Sequence, residues 1–381
     1  MEGIKVVELG QWIAAPLCAA ILGDLGADVI KVERPGGDNQ RFTPPFSGGE
    51  GHVFMAVNRS KRGVIFDLSD ESDRALCREL LLSADVVIEN FRPGMMARYG
   101  LEHASLAERN PRLIYCSISG FGQDGPMRDA GGFDIVAQAM SGLMSLCGPA
   151  DGPPHRLPVP IADIGAGLHA AIGILAALQA RQSTGRGQFV EITLLESALS
   201  FALLEVAGYL GAGIDPPRLG QGARNASPYQ VFETGDRAIV IAAAGQGLWE
   251  RLCRVLDCVD LIDDSRFATN EARLSNNAEL VEVLQARLKE RPAAVWLPAL
   301  SAAGIPAAPV STVPEALKLD PFTARNGLTT IRHTAAGEQQ LLSAPLHLSA
   351  TPATVRLPAP VLGEHEAAVK SAIRAGHWPT V

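Results

Sequence analysis

The chain has 381 residues, 47% hydrophobic and 19% charged, with a formal net charge of −8. That length exceeds one ordinary core, so two domains or one elaborated α/β domain are expected, and the composition leaves no room for extended disorder. The acidic balance argues against nucleic acid or an anionic membrane as partner. No apolar run reads as free enough of glycine and polar residues to span a bilayer, and strand character with Glu2 and Lys5 at the start replaces a signal peptide, so a cytoplasmic protein is expected.

In chain order, residues 4–8 read as a β-strand, 16–25 as a helix and 28–33 as a second strand carrying Val29, Ile30 and Val32. Residues 64–66 suggest a third strand. Residues 69–82 suggest a helix capped by Ser69, with Cys77, Leu80 and Leu81 on its buried stripe. Two more apolar strands follow at 84–89 and 113–117. Alternating strands and helices predict an α/β fold with a parallel, doubly wound, Rossmann-like sheet. The dinucleotide and P-loop fingerprints are missing: Gly10-Gln11-Trp12-Ile13-Ala14-Ala15-Pro16 after the first strand has no GxGxxG spacing, and GxxxxGK[ST] occurs nowhere. Basic loops stand in their place: Arg34-Pro35-Gly36-Gly37-Asp38, Asn58-Arg59-Ser60-Lys61-Arg62, and Asn90-Phe91-Arg92-Pro93-Gly94 followed by Arg98. Such a cluster at the carboxyl ends of parallel strands reads as a phosphate site.

Further on, Pro158-Val159-Pro160-Ile161-Ala162-Asp163 delivers one acid to a long apolar helix. Two prolines keep the approach extended. Asp163 is expected at the helix N-cap, held in its ionised form by backbone amides and the helix dipole, and Gly165 and Gly167 are expected to let a ligand approach the backbone and to supply oxyanion donors. The six cysteines form no CxxC pair and no metal-like spacing with histidine, so they read as reduced packing residues and no metal site is expected. Asp134 precedes a helix and reads as its cap. Asp215-Pro216-Pro217 and Gly220-Gln221-Gly222 look like a linker, and the helices near 248–256, 280–288 and 293–300 read as packing elements. Gly245-Gln246-Gly247 is too poor in glycine for a long shielding lid.

Taken together these motifs resemble the class III CoA-transferase family, which also holds formyl-CoA transferase, the carnitine CoA-transferases and α-methylacyl-CoA racemase. The matching pieces include Gly3-Ile4-Lys5-Val6-Val7-Glu8 with Ala15-Pro16, Leu25-Gly26-Ala27-Asp28-Val29-Ile30-Lys31-Val32-Glu33, Asn90-Phe91-Arg92-Pro93-Gly94, Ser119-Gly120-Phe121-Gly122, Thr184-Gly185-Arg186-Gly187-Gln188 and Ser227-Pro228-Tyr229-Gln230-Val231-Phe232. The resemblance implies Asp163 as the catalytic aspartate. It implies CoA contacts from Ile13, Ala14, Arg34, Phe66, Asp67, Leu68, Ser69, Asn90, Phe91, Arg92 and Arg98. It also implies an interlocked homodimer of ring-shaped chains, each with a large Rossmann-like CoA-binding domain (residues 1–205, completed by 313–381) and a small α/β domain (225–312). Acyl-CoA and a carboxylic acid would be substrates, with no permanently bound cofactor.

A carboxylate suits CoA transfer because its anhydride and thioester are of comparable energy, whereas a serine ester would be too stable. The racemase branch uses a histidine where this chain has Phe133, so two-base racemisation loses one partner and transfer ranks above it; CoA-thioester racemisation and a non-catalytic acyl-CoA binder are the alternatives.

Overall fold

A computed structural model describes residues 1–379, and its contacts divide the chain into two units. The first comprises residues 1–144, 156–214 and 321 onward, the second residues 145–155 and 215–320. In the first unit the Val- and Ile-rich runs become strands β1 (Lys5–Glu8), β2 (Asp28–Glu33), β3 (Arg62–Ile65), β4 (Val86–Glu89), β5 (Ile114–Ser119) and β6 (Phe189–Thr193). They form one parallel sheet in the order β3-β2-β1-β4-β5-β6. This is the doubly wound arrangement, whose order reverses between β1 and β4, and the ligand crevice of such sheets lies outside the strand ends at that switch.

Helices cover both faces. On one, α1 (Ala14–Asp24) packs against α2 (Ile161–Thr184), and the latter also lies on β5 and β6. On the other, α3 (Glu71–Leu82) buries Cys77, Leu80 and Leu81 with Val7, Ile30, Val64 and Val87, beside Val369 and Ile373 of the carboxyl-terminal helix. Each such buried aliphatic side chain contributes about 2 kcal/mol by leaving water. The cap of α3 is Asp70, whose side chain accepts from the Asp73 amide at 2.8 Å. Ser69 lies one residue too early and donates instead to Asp67 Oδ1 at 2.6 Å, forming a local turn. Helix α2 is long and apolar enough to cross a bilayer, contrary to expectation, and in this fold it packs beside α1 on β5 and β6.

Two further helices follow β6, α4 (Leu194–Ser200) and α5 (Leu203–Ala212). No residue of α5 is buried, although Leu203, Leu204, Tyr209 and Leu210 lie on it.

The second unit has a three-stranded antiparallel sheet of its own, made by Tyr229–Glu233, Ala238–Ala242 and Ala307–Pro309 with the middle segment central. Its core gathers Phe232, Trp249, Leu252, Leu284, Trp296 and Leu300. Gly245 is the residue before the helix Gln246–Val255, which begins at Gln246, so the Gly245-Gln246-Gly247 stretch is a helix start. All six cysteines are free, and five of them are buried.

Candidate active site

At the switch point, the loop after β1 and the loop after β4 are fastened together. The Gln11 amide donates to Asn90 Oδ1 at 2.8 Å, and Asn90 Nδ2 donates to the Gln11 carbonyl at 2.8 Å. Trp12 turns through a positive φ of 65° between them.

Beneath the first loop is a fully buried charge cluster. Glu8 pairs with Lys31 at 3.3 Å and Lys61 at 3.1 Å, and Lys31 pairs with Asp38 at 3.2 Å. Lys31 donates to the Gly10 carbonyl and Lys61 to the Pro16 carbonyl, each at 2.9 Å, while Asp38 Oδ1 accepts from the Trp12 amide at 3.2 Å. Burial pulls the Lys61 ammonium down to about 8, with Glu8 opposing the shift. The loop after β1 and the first turn of α1 are therefore both pinned from below.

That cluster corrects the sequence reading of Asn58-Arg59-Ser60-Lys61-Arg62 as phosphate ligands. Lys61 is spent on Glu8, Arg59 binds Asp24 at 2.8 Å and Arg62 binds Asp28 at 2.6 Å. The three cations are spent on acids of their own fold, two of them, Glu8 and Asp24, buried, which spacing along the chain could not reveal.

Two cavities open above this floor. The larger, about 300 Å³, is lined by Leu9, Gly10, Arg34, Asp38, Phe66, Asp67, Leu68, Ser69, Phe91 and Tyr99, among others. Arg34 is braced at its mouth, donating to the Gly37 carbonyl at 3.0 Å and to Asn39 Oδ1 at 2.7 Å. The second, about 120 Å³, is lined by Trp12, Ala14, Asn90, Phe91, Arg92, Arg128, Phe133, Asp134 and Asp163, among others. Phe91 is common to both. Of the residues singled out in the sequence, Ile13 is the residue immediately before α1, and Arg98 ends the short helix Met95–Arg98 on the surface without lining either cavity.

Asp163 differs from its expected setting. It is the third residue of α2, and Pro160 occupies the N-cap position without a side-chain cap. The amides that sequence reasoning gave to Asp163 are taken by Asp134, the first residue of α6 (Asp134–Met140), whose Oδ1 accepts from Ala162 N at 2.8 Å and from Asp163 N at 3.4 Å. Asp134 thus caps a neighbouring helix rather than its own. Burial, reinforced by the charge of Asp134, pushes the Asp163 carboxyl up to about 7, opposite to the depressed value expected of an N-cap acid.

Gly165 and Gly167 serve packing. A Cβ on Gly165 would lie 2.5 Å from the Phe201 ring, and one on Gly167 would lie 2.8 Å from the Ala14 carbonyl, so neither faces a ligand and both amides lie within the helical run. No oxyanion donor is available there.

Several lining residues escaped the sequence reading: Trp12, Arg128 and the capping role of Asp134. The available signal was Gly120 and Gly132, whose backbones touch so closely that a Cβ on Gly120 would lie 2.6 Å from Gly132 Cα. That contact draws the 121–132 loop over the end of β5. Phe133 is 61% exposed at the cavity wall. His169, the ninth residue of α2, lies 3.2 Å from Ser197 Oγ and stacks on Phe201.

The chain matches CoA-transferase family III over residues 1–366. It is 38% identical to the succinate–glutarate CoA-transferase of Agrobacterium fabrum, covering 97% of this chain and 94% of that one. It is 36% identical to the succinyl-CoA:glutarate CoA-transferase of Mus musculus, over 96% and 84%. Against the acetyl-CoA:oxalate CoA-transferase of Acetobacter aceti the identity is 39%, over 86% and 85%. Among solved structures, a CaiB/BaiF family protein from Brucella suis superposes with a TM-score of 0.89 at 38% identity, covering 98% of both chains.

Proposed function

The chain belongs to CoA-transferase family III and is an enzyme that moves CoA between an acyl-CoA and a carboxylic acid; from that premise we propose that Asp163 carries the acyl group and then CoA. The carrying observation is a carboxyl at the wall of the smaller cavity, with the larger cavity adjoining through Phe91. The Asp163 carboxylate attacks the donor thioester carbonyl, forming a mixed anhydride and expelling CoA thiolate. The thiolate attacks the aspartyl carbonyl of that anhydride, leaving an aspartyl-CoA thioester and the free donor acid. The acceptor carboxylate attacks the thioester, and the released thiolate then takes the acceptor's acyl group, regenerating Asp163. Every intermediate is an activated carboxyl, so each step is reversible.

The larger cavity is the reading for the nucleotide end of CoA: Phe66, Leu68 and Phe91 give apolar walls, Asp67 and Ser69 polar edges, and Arg34 a cation for phosphate. Ile13, Ala14, Asn90 and Arg92 would border the pantetheine path, and Arg98 would meet CoA only from the surface.

The acids are dicarboxylic in this proposal. Glutarate, oxalate and, in a relative from Haloarcula hispanica, mesaconate are the acids named for the relatives, and each has two carboxylates. Arg128, at the wall of the Asp163 cavity, is the cation offered to the carboxylate that does not react. Racemisation is disfavoured by Phe133, which offers no proton acceptor.

A homodimer is proposed as well. Leu204 and Leu210 are 78% and 77% exposed on α5, a face that a second chain would remove from water. The interlocked, ring-shaped form follows from the resemblance alone. Six free cysteines suit a reducing, cytoplasmic setting.

Incubation with succinyl-CoA, hydroxylamine trapping and peptide mass mapping tests the central step. A label on Asp163, and loss of transfer by at least about 1,000-fold in Asp163→Ala with CoA affinity within threefold, are the expected results. Transfer at the native rate by Asp163→Ala would end the assignment.

A further inference from the structure

Behind Asp134 stands Gln138, one turn later on α6 and completely buried, with every polar atom of its side chain committed. Its Oε1 accepts from the Leu157 amide at 2.9 Å. Its Nε2 donates to Asp134 Oδ2 at 2.7 Å and to the Val159 carbonyl at 3.2 Å. The amide orientation is fixed by these partners: the oxygen meets a donor, and the nitrogen meets oxygens. One side chain thus clasps both the 157–159 strap that leads into α2 and the carboxylate that seats the first amides of α2.

We propose that Gln138 is a positioning residue for transfer: by holding Asp134 in place as the seat of α2, it fixes the direction from which Asp134 acts on Asp163 and where Asp163 points. The inference rests on Asp163 being the nucleophile. Its physical content is a division of labour. Asp134 receives a side-chain amide and two backbone amides, all donors, and is held by them in one orientation. A fixed anion beside Asp163 makes the second carboxylate more basic, hence a better nucleophile once ionised, and acylation of Asp163 relieves the repulsion between the two.

The other charged groups around Asp163 do not supply this. Arg92 and Arg128 come from loops at the cavity wall. Across α1, Asp24 is paired with Arg59. On α4, Glu196 bonds Thr193, and His169 on α2 itself faces Ser197.

The test uses the full-length protein with Gln138→Met, which keeps the volume and removes every hydrogen bond, and Gln138→Glu, which keeps the acceptor toward Leu157 and loses the donors toward Asp134 and Val159. Single-turnover acylation by succinyl-CoA is followed by mass across pH 5 to 9, normalised to folded protein by circular dichroism, with CoA affinity measured by calorimetry. The expected result is acylation slowed at least tenfold in both variants, a CoA dissociation constant within threefold of the parent, and an acid limb moved by half a pH unit or more. If one variant does not fold, the other is read by the same criteria, and failure of both to fold while the parent's limb is that of Asp163 overturns the positioning role in favour of a purely structural one. Parent-like rate and limb in a folded variant overturn it too. Asp163→Ala run alongside separates the two readings: inactive Asp163→Ala with parent-like Gln138 variants removes only this inference, whereas active Asp163→Ala removes the nucleophile.

Discussion

Two groups of charges, one under the loop after β1 and one lining the Asp163 cavity, are built in opposite ways. In the floor, Glu8, Lys31, Asp38 and Lys61 are fully buried and each is paired or hydrogen-bonded to a named partner. In the cavity above, Arg92 and Arg128 are exposed, and the Asp163 carboxyl is partly buried next to another acid. The difference shows that the type and clustering of charges say little about their task. A charge whose neighbours already neutralise it holds the backbone, and a charge left uncompensated is available to substrate.

The sharpest way to break this contrast is to remove a cation from the floor. Lys61→Met strips Glu8 and Asn58 of a partner and frees the Pro16 carbonyl, and it is expected to lower unfolding free energy by about 3 kcal/mol in urea titration. A loss below about 0.5 kcal/mol would make the floor dispensable. Next in size is the pH dependence of the cavity. Burial and the charge of Asp134 push the Asp163 carboxyl up to about 7 in the folded protein, against 3.8 for a free aspartate, so between those values the native state holds a proton that the unfolded chain has released. The stabilisation this gives is complete below pH 4 and is lost as pH rises through 7. Asp163→Asn should abolish that decline and be more stable than the parent by about 2 kcal/mol at pH 8, after discounting for partial exposure, with no difference at pH 4. Parallel stability curves for the two proteins would place the raised value elsewhere. Acylation in the parent should rise with pH up to about 7 and then level off. Smallest is Arg34→Ala. It should leave the thermal midpoint within a degree or two and weaken CoA binding about tenfold, the cost of one charge-assisted phosphate contact.

The same contrast explains what was legible in the sequence. Strands rich in Val and Ile, and the stripe of Cys77, Leu80 and Leu81, announced the sheet and α3 because burial repeats at a fixed period along the chain. Asp163 stood out because two prolines and an apolar helix frame it. Its electrostatics did not, because the helix amides go to Asp134, a residue 28 positions from Ala162. The Glu8–Lys61 pair is likewise separated by 53 positions. Lys61 and Arg92 look alike in a string of letters, and only tertiary pairing tells the floor from the cavity. The shift of the α3 cap from Ser69 to Asp70 is a smaller miss of another kind, since two competent cap residues stood side by side and the local turn around Asp67 decided between them.

The seating of α2 on Asp134 has a further consequence. In the proposed cycle Asp163 alternates between an anion and a neutral, acylated form, and such a side chain would ordinarily drag its solvation along, with dipoles turning at each step. Here the first peptide amides of the helix already point at a different carboxyl, that of Asp134. The backbone therefore has nothing to reorient when Asp163 gains or loses its charge, and the reorganisation energy of each step is confined to the substrate and the side chain itself.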